Sequence, residues 1–254
     1  MLLAIDVGNT HTVFGLYAGD QLRHHWRLES DRGRTVDEYG VLLRNLFAGV
    51  GRPAIDGIAV SSVVPPTTQV IDAWCRTYLG VAPLVVGPGV RTGMPILYDD
   101  PQQVGSDRVV NAVAAYERTR DTTIVVDCGT ATKFEYVTRK GEYIGGIIAP
   151  GLGIAGDALF ERAARLYRVE LVRPKHVLGR NTVHAIQSGL IYGYVALVDG
   201  LVTRMQKEIR MPARVIATGG FAQLLAPASE TIEEVDEFLT LDGLRLIYAR
   251  NSGQ

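Results

Sequence analysis

Two short stretches carry residue types suited to binding phosphate. LLAIDVGNTHTV (2–13) ends an apolar run at Asp6 and breaks into Gly8, Asn9, Thr10 and Thr12, and VVDCGTATKF (125–134) repeats the pattern with Asp127, Gly129, Thr130 and Thr132. A glycine turn lets backbone N–H groups come close to an anion, and neighbouring Thr and Asn add donors. The aspartate at the strand end repels phosphate, so its natural work is to hold a cation, directly or through water, that neutralises it. Taken singly, such a stretch is more often an ordinary β-turn, with glycine at positive φ and Asn-Thr as turn formers. Written twice, once in each half of the chain, they point to a nucleotide held from both sides.

A third stretch, ATGGFA (217–222), is a strand ending in Gly219-Gly220 that passes into a helix. Two readings stand: backbone lying flat on an adenine or ribose, or glycine needed for strand-to-helix packing. The P-loop and G-x-G-x-x-G signatures are absent, and with only Lys133, Lys140, Lys175 and Lys207 a P-loop lysine has few places to stand. Gly105-Ser106-Asp107-Arg108 opens the apolar helical run VVNAVAAY. Ser106 reads as an N-cap, and Asp107 in the first turn interacts with the helix dipole by about 0.3–1 kcal/mol.

The elements that must position these residues follow from periodicity. LLAID, TVFGLY and HHWRLES read as a strand meander, TVDEYGVLLRNLFAGV as a helix, and DGIAVSSVVP as a strand ending in a Pro-Pro break. TTQVIDAWCRTYLG is an amphipathic helix and APLVVG a short strand. The second half repeats the opening with TTIVVDCGTATKFEYVT and EYIGGIIAPG. It continues with a long helix in NTVHAIQSGLIYGYVALVDGLVTRM, a strand in RVIATGG and a helix beginning at FAQLLA. The pattern predicts an α/β fold of two duplicated domains, 1–119 and 120–254, each a mixed sheet with flanking helices.

Composition narrows the function classes. The chain has 254 residues, 47% hydrophobic and 21% charged, which fits a filled core rather than disorder. A net charge of −1 gives no basic face for nucleic acid. Cys75 and Cys128 lie far apart without C-x-x-C, which fits a reducing, cytoplasmic setting. No apolar run approaches the roughly 20 residues that span a bilayer, so no membrane partner is expected. His11, His24, His25, His176 and His184 lack metal-ligand spacing.

The order of these motifs resembles the actin, sugar-kinase and heat-shock-protein-70 superfamily. More narrowly, DVGNT, YDDPQQVGSDR, DCGTAT, GGIIAPG, LFERAARL, GRNTVHAIQSGLIYGYVALVDGL and ATGG are similar to the type III pantothenate kinase (CoaX) family over nearly the full length. The resemblance implies two actin-like (ribonuclease H-like) domains with a nucleotide cleft between them. It implies ATP-dependent phosphorylation of pantothenate to 4′-phosphopantothenate, the first step of coenzyme A synthesis, by a homodimer with active sites at the interface. The same family includes proteins described as transcriptional accessory factors, so a nucleotide-binding regulator without kinase activity is the alternative; a kinase of another small acceptor is a third.

Residue by residue, the resemblance makes Asp107 the base and places Tyr98, Gly105, Ser106, Arg108 and Thr182 at the pantothenate. Asp6, Val7, Gly8, Asn9, Thr10, His11, Thr12 and Val13 form the first ATP turn, with Asp6 near Mg²⁺. Thr130, Gly219 and Gly220 also contact ATP, and Asp127 binds a monovalent cation, K⁺ or NH₄⁺. Ser106 replaces the usual alanine. Lys133-Phe134-Glu135 replaces the usual Thr-Phe-Asp, and Lys133 either reaches a phosphate or faces solvent. Cys128 stands where an aromatic is common and reads as a small buried thiol rather than a nucleophile. Tyr98 is otherwise a loop tyrosine, Thr182 part of a helix cap with Asn181, and Gly189 and Gly193 a close-approach face within or between subunits.

Overall fold

The computed structural model describes residues 1–163 and 165–253. The apolar run at the N-terminus forms β1 (Leu2–Val7), with Leu3, Ile5 and Val7 fully buried. β2 (His11–Ala18) pairs antiparallel to β1, and β3 (Gln21–Glu29) pairs antiparallel to β2 as a mostly exposed edge. α1 (Val36–Ala48) begins with a capping box in which Thr35 accepts from the Glu38 N–H and Glu38 accepts from the Thr35 N–H. β4 (Gly57–Ser62) runs parallel to β1. α2 (Pro65–Trp74) follows and ends in a π-helical turn at Cys75–Leu79. The Pro-Pro pair therefore starts this helix rather than only ending the strand, because proline at the first helical positions loses no intrahelical hydrogen bond. β5 (Leu84–Val85) is only two residues long and pairs parallel to β4. α3 (Ser106–Thr119) then leads into the second half.

There β6 (Thr123–Cys128), β7 (Ala131–Val137) and β8 (Tyr143–Pro150) form an antiparallel meander. α4 (Leu152–Arg162), α5 (Thr182–Ile209), β9 (Arg214–Thr218), α6 (Ala222–Leu225), β10 (Glu234–Val235) and α7 (Leu239–Ser252) complete the chain. One sheet has the order β3-β2-β1-β4-β5 and the other β8-β7-β6-β9-β10. These are the same topology, so the repeated Asp-x-Gly stretch belongs to a duplicated α/β fold, as its sequence suggests.

The two compact units are not divided by a single cut at residue 119. The first comprises Met1–Met94, Asp99–Ala114 and the chain from Leu239 onward; the second comprises Pro95–Tyr98 and Ala115–Phe238. The charged stretch ERTRD does not form a linker, since Glu117 to Thr119 are the last turn of α3. α7 joins the first unit because its apolar face is needed there: Leu241, Leu244 and Ile247 are buried, and Leu241 meets Gly15 of β2. Tyr17 donates to Asp242 Oδ1 at 2.8 Å, and a Cβ on Gly243 would stand 2.2 Å from the Val110 carbonyl oxygen of α3. Each buried leucine or isoleucine contributes about 1.5–3 kcal/mol.

In the second unit α5 is the central helix. Ile191, Val198 and Val202 lie in the core with Ile124 and Val126 of β6. It is the one helix among the described residues long and apolar enough to cross a membrane, with a mean hydropathy of 1.4 over an 18-residue window. Its apolar residues do not form one continuous run, since His184, Gln187, Ser188 and Asp199 interrupt them. Half of that window is buried inside the protein, as a core helix requires.

Candidate functional site

The first turn is a tight hairpin at the end of β1. Gly8 N–H donates to the His11 carbonyl at 3.0 Å, and the register sets Asp6 opposite Val13 and Val7 opposite Thr12. Thr12 is fully buried with its hydroxyl 2.9 Å from Ser30 Oγ, whereas Asn9, Thr10 and His11 are exposed. Arg32 donates to Asn9 Oδ1 at 3.3 Å. The second turn is built alike. Gly129 N–H donates to the Ala131 carbonyl at 3.1 Å, Thr132 is buried, and Thr130 is exposed at the tip. Neither Gly8 nor Gly129 has a positive φ. The turn-conformation reason for glycine therefore does not apply, and what glycine supplies is room: a Cβ on Gly8 would stand 3.0 Å from the His11 oxygen.

Gly105 to Arg108 join the first turn through β4. Asp6 on β1 pairs with Ser61 on β4, and Ser61 Oγ lies 3.2 Å from Ser106 Oγ. Ser106 is not an N-cap here but the first residue of α3. Its hydroxyl accepts from the Ser62 N–H and donates to the Ser62 carbonyl, both at 3.0 Å. The cause lies in the short β5. Val60 finds its partner in the Val86 N–H at 2.8 Å, and by strand alternation Ser62 is the next residue facing that way, beyond the strand's end. Ser106 replaces the missing strand. It thereby fixes Asp107, whose Oδ1 accepts from the Arg108 N–H at 2.9 Å, and the Arg108 side chain is buried.

In the second unit the ends of β6 and β9 meet. Gly219 has φ +89°, and a Cβ there would stand 2.6 Å from Asp127 Oδ1 and 2.7 Å from the Cys128 carbonyl carbon. The glycine turn thus lies flat on β6, with the Phe221 N–H on the Cys128 carbonyl at 3.0 Å. Packing accounts for Gly219, while Gly220 is exposed beside it. Asp127 and Lys133 are cross-strand partners, with Lys133 Nζ 2.7 Å from Asp127 Oδ2 and both side chains about four-fifths or more shielded, at 16% and 15% exposure. Lys133 therefore neither faces solvent nor stands idle, and the donor set at Asp127 does not fit an added monovalent cation. Glu135 is buried and accepts from the Tyr143 hydroxyl. Burial pushes the Cys128 thiol up to about 12, with Asp127 adding to the shift, which denies it a nucleophile's role.

The remaining candidates sit on other elements of this unit. Tyr98 packs against Tyr143, with ring centroids 6.4 Å apart, and beside Gly145 of β8. Thr182 begins α5 after Asn181, whose Oδ1 caps the helix by accepting from the His184 N–H at 2.8 Å. It borders an open groove of about 730 Å³ lined by Leu159, Leu166, Ile186, Gly189 and Leu190. Ser61, Ser62 and Lys133 are the positions that residue types alone did not assign; only hairpin and strand register reveals them.

Two five-stranded sheets of one topology, each with an Asp-x-Gly turn at the end of its central strand, define the actin-like ATPase and sugar-kinase fold class. The fold is similar to component A of (R)-2-hydroxyglutaryl-CoA dehydratase from Acidaminococcus fermentans (TM-score 0.61, 13% identity, 100% of this chain and 99% of that one). It is also similar to a putative Baf family transcriptional activator from Campylobacter jejuni (TM-score 0.62, 19% identity, 99% and 100%). The sequence profile of type III pantothenate kinase matches residues 2–204. A type III pantothenate kinase from Geobacter sulfurreducens is 57% identical over 253 residues, 99% of each chain. The chain belongs to the type III pantothenate kinase family.

Proposed function

We propose that this chain transfers the γ-phosphoryl group of ATP to the primary hydroxyl of pantothenate, giving 4′-phosphopantothenate and opening coenzyme A synthesis. One observation carries the assignment of the chemistry: strand pairing ties the Asp6–Val13 turn to the Gly105–Arg108 helix start through Ser61 and Ser106. A phosphate turn and a carboxylate thus share one scaffold. Asp107 takes the proton of the pantothenate hydroxyl as its oxygen attacks the γ-phosphorus, and ADP leaves with the electrons of the broken bond. Arg108 binds pantothenate through its fork of donors, Gly105 and Ser106 hold the helix start against it, and Tyr98 and Thr182 are further clamps. The ATP-binding groups are the exposed Asn9, Thr10 and His11 with the Gly8 backbone in the first unit, and Thr130 and Gly219-Gly220 in the second.

Asp6 is the residue that would hold Mg²⁺, through water, when the nucleotide is bound. Its partly exposed carboxylate, beside a glycine turn, suits an ion that keeps most of its water, and such an ion would supply charge neutralisation at the phosphates. The monovalent cation implied at Asp127 meets an ammonium already seated there.

The working form is a homodimer. Val177 and Leu178 are 63% and 85% exposed near the groove at Thr182, and Gly189 and Gly193 are exposed on α5 with nothing within 4 Å of a Cβ. A second copy covering this face would remove apolar surface from water. A cytoplasmic setting fits the two free, buried cysteines. The competing reading, a nucleotide-binding regulator without kinase activity, is suggested by the Baf likeness, which at 19% identity speaks to fold alone. Phosphorus NMR of the protein with ATP, Mg²⁺ and pantothenate separates them. The kinase gives a new phosphomonoester signal only when pantothenate is present; nucleotide binding without that signal supports the regulator.

A further inference from the structure

The two hairpin registers set different residues opposite the strand-end aspartates. In the first, the residue opposite the strand-end aspartate is Val13; in the second it is Lys133. Lys133 Nζ lies 2.7 Å from Asp127 Oδ2, with both side chains largely withdrawn from solvent. The other carboxylate oxygen is directed at Gly129 and Gly219, where added Cβ atoms would stand 3.3 and 2.6 Å away. The carboxylate is thus enclosed by glycine backbone on one side and an ammonium on the other.

We propose that Lys133 is a tethered monovalent cation, so that this kinase works without K⁺ or NH₄⁺. A primary ammonium carries the same unit charge as those ions, and its contact with Asp127 is at ordinary ion-pair distance. A second cation on the same carboxylate would face the lysine's like charge in a shielded site, where repulsion is poorly screened. Tethering also removes the concentration dependence of a free ion, since the cation is delivered by β7 at the register that closes the turn. Gly219 abuts Asp127, and Thr130 lies at the tip of the same hairpin, so the fixed charge adjoins the residues proposed to bind the nucleotide.

The inference rests on the kinase reading, and the test separates the two. Pantothenate-dependent ADP release is measured at constant ionic strength in K⁺, NH₄⁺, Na⁺ or tetramethylammonium, on wild type and Lys133→Ala. ATP affinity is measured by calorimetry in the same salts. Wild-type rates should agree within about twofold across all four, while Lys133→Ala should slow at least about tenfold in tetramethylammonium and recover in K⁺ or NH₄⁺. Wild type that turns over in K⁺ but not in tetramethylammonium leaves the kinase standing and overturns the tethered cation. No turnover in any salt removes the kinase reading. The calorimetry then decides: ATP affinity equal in K⁺ and tetramethylammonium supports the lysine's role, whereas affinity that needs K⁺, or no ATP binding in any salt, overturns it. Should Lys133→Ala fail to fold, the wild-type salt comparison alone decides.

Discussion

Replacing Ser106 with alanine isolates the contact that holds the start of α3. The Ser106 hydroxyl satisfies the Ser62 N–H and carbonyl, each at 3.0 Å, where β5 is too short to do so. Deleting it removes these two hydrogen bonds, each worth about 0.5–1.5 kcal/mol net, together with the longer 3.2 Å contact to Ser61 Oγ, and leaves the freed groups to partial rehydration. The expected loss of local stability is about 1–2 kcal/mol, which corresponds to a factor of about 5–30 in an opening equilibrium. Amide hydrogen exchange read at Ser62 should therefore accelerate by that factor, while exchange in β1 stays near its original rate. Because Asp107 is the next residue, kcat should fall by roughly tenfold with the ATP KM little changed, as expected when a positioned group loosens. Unaltered exchange at Ser62 would refute the reasoning, since it would mean the hydroxyl is not what closes the end of β4.

The other expectations concern the second unit and the thiols. Gly219→Ala places a Cβ 2.6 Å from Asp127 Oδ1 at φ +89°, so backbone strain of about 1–3 kcal/mol should appear in urea unfolding together with weaker ATP binding. Unchanged unfolding would show that the turn relaxes freely. Burial raises Cys75 and Cys128 to about 12, so at pH 8 only about one thiol in ten thousand is ionised. Both should resist a thiol reagent until the chain is unfolded, and rapid labelling of either in the native protein would contradict this burial. Partial burial would raise the Asp199 carboxyl, but bonds from Ser229 and Thr231 and from the Glu230 and Thr231 N–H groups outweigh it and lower the value. Its contribution is complete above the unfolded range of about pH 4 and fades as pH falls through the lowered native value. The Tm gap between wild type and Asp199→Asn should hence be present at pH 7 and narrow as the pH falls below about 4; a constant gap would sink the linkage.

What could be read in the sequence was what is written locally. An apolar run ending in Asp-x-Gly with hydroxyls is visible at Asp6 and Asp127, and its repetition announced the duplicated topology. What could not be read depends on pairing between distant residues. α7 follows the second half in sequence yet fills the first unit's core through Leu241 and Leu244. Ser106 has the chemistry of a cap, and only the length of β5 directs its hydroxyl to Ser62. Lys133 stayed undecided because its partner depends on a turn of three residues between Cys128 and Thr132, against four between Val7 and Thr12. That single residue of turn length decides which side chain faces each aspartate.

The most direct test of the account is the kcat for pantothenate-dependent ADP release by Asp107→Asn, with ATP affinity measured in parallel. The account predicts a loss of about 10²–10⁴-fold in kcat with ATP binding retained, because the amide keeps the shape of α3's first turn but cannot take the hydroxyl proton. Turnover within tenfold of wild type would contradict it and return Asp107 to the role of a residue that only stabilises the start of its helix.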